Sequence, residues 1–108
     1  MAYYMIQAAY TGESWGAQIG SPQSPVDRLR STVEGLGGSI ESAYYAFGEY
    51  DIIAIMQFPD NASAGAFSVA ASAGGAVKAI KMTPLMTIDE GMDMMRKASG
   101  AGYRAPGG

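Results

Sequence analysis

Tyr44-Tyr45-Ala46-Phe47-Gly48-Glu49-Tyr50-Asp51 joins two strongly apolar segments through a short, glycine-containing corner. Ser39 to Phe47 precedes the corner and Tyr50 to Phe58 follows it. Two such runs around a tight turn read as a β-hairpin. The second run, Ile52-Ile53-Ala54-Ile55-Met56-Gln57-Phe58, is almost continuously apolar. A strand of that kind belongs at the centre of a sheet, covered on both faces. The corner also gathers three tyrosines and two carboxylates within eight positions, so it is the first place to seek polar chemistry.

Working outward, Ala2 to Tyr10 is a second strand of the same character. Tyr4, Ile6, Ala8 and Tyr10 share one face, and Tyr3, Met5, Gln7 and Ala9 share the other. Thr11 to Gln23 carries Gly12, Gly16, Gly20 and Pro22 and reads as a long loop with at most one helical turn near Trp15. Ser24 and Pro25 suit the cap and first position of a helix, with Asp27 where a capping-box carboxylate belongs. Val26, Leu29, Val33 and Leu36 then recur at helical spacing until Gly37-Gly38 stops the helix.

Beyond the hairpin, Pro59 ends the ladder and Asp60 caps a helix from Asn61 to about Ala73. This helix is thin, dominated by Ala, Ser and Gly, with Ala64, Phe67 and Ala71 on its inner side. Its smallness predicts close packing on the sheet. Val77 to Met86 is the fourth strand, and Lys78 and Lys81 mark it as an edge. Thr87-Ile88-Asp89-Glu90 opens a short helix with Met92 and Met95 expected inward. Residues 99–108 form a Gly-rich tail, expected to be flexible, after a single domain of residues 1–98.

The order strand, helix, strand, strand, helix, strand predicts an α+β, ferredoxin-like βαββαβ fold with a short C-terminal helix. Its four-stranded antiparallel sheet receives helices on one face. The central strands are apolar on both faces, so the second face calls for a partner. The economical solution is a second copy placed face to face, a dimeric α/β barrel. Only 16% of residues are charged, in keeping with a surface partly hidden in a homodimer or higher homo-oligomer.

Composition removes several functions. The 108 residues include no histidine and no cysteine. This excludes Ser-His-Asp and thiolate catalysis, disulfides and nearly all zinc chemistry. No metal and no cofactor is expected. The seven basic residues are scattered against a net charge of −3, which argues against nucleic acid. No run approaches the ~20 apolar residues of a membrane helix, and no basic leader precedes the first strand. A cytoplasmic location is the expectation.

Several short motifs resemble the GYD family of small bacterial and archaeal proteins. Gly48, Tyr50 and Asp51 stand within Phe47-Gly48-Glu49-Tyr50-Asp51. Around them lie Tyr10-Thr11, Asp27-Arg28, Leu36-Gly37-Gly38, Tyr44-Tyr45, Phe58-Pro59-Asp60 and Thr83-Pro84-Leu85. The resemblance spans residues 1 to about 98. It implies a ferredoxin-like domain related to dimeric α/β-barrel proteins, and it implies no activity.

Alternation selects the candidate site. Asp51, Ile53, Ile55 and Gln57 fall on one face, opposite the wholly apolar set Ile52, Ala54, Met56 and Phe58. The first set, with Gln7, is assigned to the barrel interior and the second to the helices. Tyr45 is preferred over Tyr44 for the interior because it shares the face of Glu41. The expected ligand-binding set is therefore Gln7, Tyr45, Asp51 and Gln57, with Tyr50, Glu49 or Trp15 at the mouth. A buried Asp51 could serve as general base unless a pairing with Arg28 holds it ionised and inert; alternatively it caps backbone N–H groups. Three functions follow: a small-molecule-binding barrel, which is preferred; a cofactor-free oxygenase or isomerase; or an assembly module.

Overall fold

A computed structural model describes residues 1–107. Four strands and four helices follow in the order β1 (Ala2–Tyr10), α1 (Gly12–Gly20), α2 (Pro25–Gly35), β2 (Ser39–Tyr45), β3 (Ile52–Phe58), α3 (Asn61–Ala73), β4 (Val77–Leu85) and α4 (Ile88–Ser99). The sheet runs β2-β3-β1-β4 with every pair antiparallel. This is the ferredoxin-like α+β arrangement, with the two expected central strands at the centre.

One face of the sheet makes the core. Tyr4 and Ile6 of β1 and Ala54, Met56 and Phe58 of β3 are buried against Val33 of α2 and Ala64 and Phe67 of α3. The Phe58 ring meets Tyr4 edge-on at 5.9 Å and Phe67 at 6.0 Å. The Tyr4 hydroxyl, carried into this apolar layer, donates to Asn61 Oδ1 at 2.6 Å, which removes the cost of burying it unpaired. On the opposite face Tyr3, Met5, Gln7, Ile53, Ile55 and Gln57 are only half-buried. The alternation assigned to β1 and β3 is the one observed.

Helix ends follow local chemistry. Ser24 Oγ accepts the Asp27 N–H, whereas the Asp27 carboxylate turns to Arg30 at 3.0 Å instead of closing a capping box. Thr87 and Glu90 do form a reciprocal box. After α2, Gly38 N–H donates to Val33 O and Gly37 N–H to Glu34 O, both at 2.9 Å. These are the paired bonds of a Schellman ending, and Gly37 holds the required left-handed φ of 81°.

The structure corrects the sequence reading in several places. Residues 12–20 are a helix, not a loop; Thr11 caps it by accepting the Ser14 N–H. The strands of the hairpin stop at Tyr45 and resume at Ile52, leaving a longer corner than expected, and β4 ends at Leu85. Met92 and Met95 do not point inward. They are 44% and 61% exposed, and α4 buries no side chain. The described chain is 59 Å long in its greatest dimension, with α4 standing off the sheet. The expected tail overlaps α4 at Ser99, and its last residue, Gly108, lies outside the described residues.

Candidate functional site

The corner after β2 is held by three bonds that meet at Asp51. Ala46 N–H donates to Asp51 O at 2.7 Å, and Asp51 N–H donates to Ala8 O at 2.8 Å. Tyr10 N–H then donates to Asp51 Oδ2 at 2.9 Å. Beyond Ile52 there is no strand left to accept the Tyr10 amide, and the Asp51 carboxylate takes that place. Its geometry is that of a backbone cap, the second of the two roles considered for it. Arg28 does not pair with Asp51; its Nη2 donates to the Tyr10 hydroxyl at 3.4 Å.

Asp51→Ala is expected to lower stability by about 1–2 kcal/mol, the cost of leaving a part-buried amide unmatched. Asp51→Asn, which keeps an acceptor oxygen, should recover most of that loss. Urea denaturation of the two variants separates them. Equal losses would mean that charge, and not the acceptor, is what β1 needs.

Gly48, at the tip, has φ 142° with open space around it. Its role is conformational, as the corner requires. Phe47 beside it is fully exposed, and Glu49 is exposed while Tyr50 is half-buried.

The expected site residues separate into two groups. Gln7, Gln57 and Asp51 stay with the open sheet face or its end. Gln57 Nε2 donates to Glu41 Oε1 at 2.6 Å, and Ser39 Oγ donates to the same oxygen at 3.3 Å. Gln57 pairs across from Tyr3 and Gln7 from Ile53, so the two amides stand about 13 Å apart along the ladder at ~3.3 Å per residue. One chain alone does not bring them to a common point.

Trp15 and Tyr45 lie on the helix side. Tyr45 is paired with Ile52 and Tyr44 with Ile53, so Tyr44 shares the open face and Tyr45 does not. The preference for Tyr45 fails because the ladder shifts between Ile40 and Ser42. Glu41 is the extra residue of that bulge, and alternation counted across it inverts. Tyr45 instead faces Trp15 at 6.4 Å and its hydroxyl donates to Gln18 Oε1 at 3.4 Å. Trp15 meets Tyr10 edge-on at 5.1 Å and covers the small cluster of Ala8, Tyr10 and Ile52. Burial raises the pKa of Tyr10, opposed by its bond to Arg28 and by the guanidinium charge.

Among the described residues, no three acidic side chains gather to hold a metal ion. No helix among them is long and apolar enough to cross a membrane.

The GYD domain model matches residues 4–95, from within β1 into α4. The chain belongs to the GYD domain family. In this GYD domain the residues that carry the family resemblance, Gly48, Tyr50 and Asp51, form and tie down the hairpin corner described above. No curated protein matches the chain. Among solved structures, it is similar to FFRP-DM1, with a TM-score of 0.50 and 13% identity, covering 80% of this chain and all of that one. A hypothetical protein, PHS023 from Pyrococcus horikoshii, is similar at a TM-score of 0.49 and 13% identity, covering 81% of this chain and 92% of the other. At such identity the likeness to FFRP-DM1 is one of fold alone.

Proposed function

We propose that this GYD domain is a small-molecule-binding protein that works as a homodimer, two open sheet faces enclosing the ligand. The observation that carries this reading is the open face itself. Tyr3, Met5, Ile53 and Ile55 lie there half-buried, in register across β1 and β3, while the helices that bury apolar side chains all serve the other face. Apolar surface of that extent is stabilised when a partner removes it from water, at about 25 cal/mol per Å². A two-fold axis also supplies what one chain lacks. It sets a second Gln7 and a second Gln57–Glu41 pair opposite the first, so that polar groups can converge on a ligand from both sheets.

Sedimentation at micromolar concentration, followed by mass spectrometry of the intact complex, tests the reading. The expected result is a dimer carrying a small-molecule adduct that is released on denaturation. A monomer at those concentrations, with the sheet face wet, removes the chamber and the function with it.

A further inference from the structure

On the helix side, α2 and α3 do not close over the sheet between them. They leave a cleft of about 180 Å³. Ile6, Met56, Val77 and Ile80 of the sheet floor it, and Leu29 of α2 and Phe67 and Ala71 of α3 wall it. The small side chains of α3 leave this room because none reaches across to α2. The lining is apolar except at Tyr10 and Arg28. Arg28 also borders a polar recess formed with Ser14, Gln18 and Gln23. Neither lining contains a carboxylate, and the ion pairs among the described residues are Arg30–Asp27 and Lys97–Asp93, not Arg28.

We propose that this cleft binds a small amphiphilic carboxylate, its tail among Ile6, Phe67 and Ile80 and its carboxylate on Arg28 and Tyr10. An apolar slot open at a cation that lacks an acidic partner fits that chemistry and disfavours an amine. The volume corresponds to about six water molecules at ~30 Å³ each, and a methylene group occupies similar space, so a tail of about six carbons fills it. The Tyr10 oxygen already accepts from Arg28, which leaves its O–H free to donate. A tyrosine hydroxyl keeps that proton at neutral pH. The site is separate from the open sheet face, so a monomeric chain would bind just as well.

Trp15, the only tryptophan, lies against Tyr10 and reports on the site by its fluorescence. Heptanoate, 1-heptanol and heptylamine are the probes. Heptanoate is expected to change Trp15 emission saturably and to bind at least tenfold tighter than heptylamine. From pentanoate to heptanoate, affinity should rise about fourfold per methylene. Arg28→Gln, on an exposed side chain, should weaken heptanoate by tenfold or more and leave heptanol unchanged. Ala71→Leu should block both while circular dichroism stays native. The proposal is overturned if heptylamine binds as well as heptanoate, if Arg28→Gln has no effect, or if nothing saturates at millimolar concentration. It is also overturned if heptanoate affinity falls as the protein is concentrated, since a second copy would then be the occupant of the cleft.

Discussion

An Ile55→Asp chain is expected to sediment as a monomer at concentrations where, on the pairing proposed above, the parent chain sediments as a dimer. Ile55 lies in β3, opposite Met5 of β1 and Ser42 of β2, near the middle of the open face. In a single chain the position is half-exposed, so water reaches a carboxylate placed there and the fold survives. In the paired form two carboxylates lose that water at once. The penalty is several kcal/mol per ion even after relaxation, so the dissociation constant should rise at least about 100-fold, or about 3 kcal/mol. Ile55→Val, which keeps an apolar β-branched side chain, should leave the dimer in place. The denaturation midpoint of dilute, monomeric protein should be nearly the same for Ile55→Asp and the parent. If Ile55→Asp remains a dimer, the contact lies elsewhere, with the exposed methionines of α4 as the obvious alternative, and no ligand sits between sheets.

The same face shows how far the sequence alone carries. Along β1 and β3 the alternation of Tyr4, Ile6, Ala8 against Tyr3, Met5, Gln7, and of Ile52, Ala54, Met56 against Ile53, Ile55, Gln57, assigns every side chain correctly, because neither stretch is interrupted. In β2 it does not, because one inserted residue at Glu41 reverses the parity of Tyr44 and Tyr45, and nothing in Ser39-Ile40-Glu41-Ser42 announces it. Residues 12–20 read as loop because each interior glycine disfavours a helix by about 1 kcal/mol. The seat of Trp15 on Tyr10 outweighs that, with the local Thr11 cap in support, and this contact with β1 is one that a local pattern does not carry. The Ala-rich face of α3 is ambiguous in a different way. Small side chains permit either a close approach or a gap, and the choice is made by α2, which ends at Gly35, well before α3 begins at Asn61. The methionine stripe of α4 likewise signals an apolar face without saying what meets it. What was hidden in each case is a relation between segments.

Gly35, Gly37 and Gly38 give the second large effect, with opposite signs at neighbouring positions. All three glycines surround the end of α2, and the sequence reads Gly37-Gly38 as one stop signal. The structure divides the work. Gly37 supplies the positive φ. Gly38 has no such φ; it is needed for space, since a Cβ there would run into the Gln57 carbonyl and come within 2.8 Å of the Phe58 ring. Phe58 is 0% exposed and fixed between Tyr4 and Phe67, and the carbonyl is part of β3, so neither obstacle can swing away. Gly38→Ala is therefore expected to cost about 2–3 kcal/mol, the upper part of the range for overpacking a filled core. Gly35, in the exposed last turn, has nothing within 4 Å of such a Cβ, so Gly35→Ala should stabilise by up to about 1 kcal/mol through helix propensity. Thermal or urea denaturation of both variants reads the difference directly. Were Gly38→Ala as stable as the parent, the α2–β2 junction would have to sit further from β3, and the packing of Phe58 that fixes the sheet beneath the helices would be looser than described.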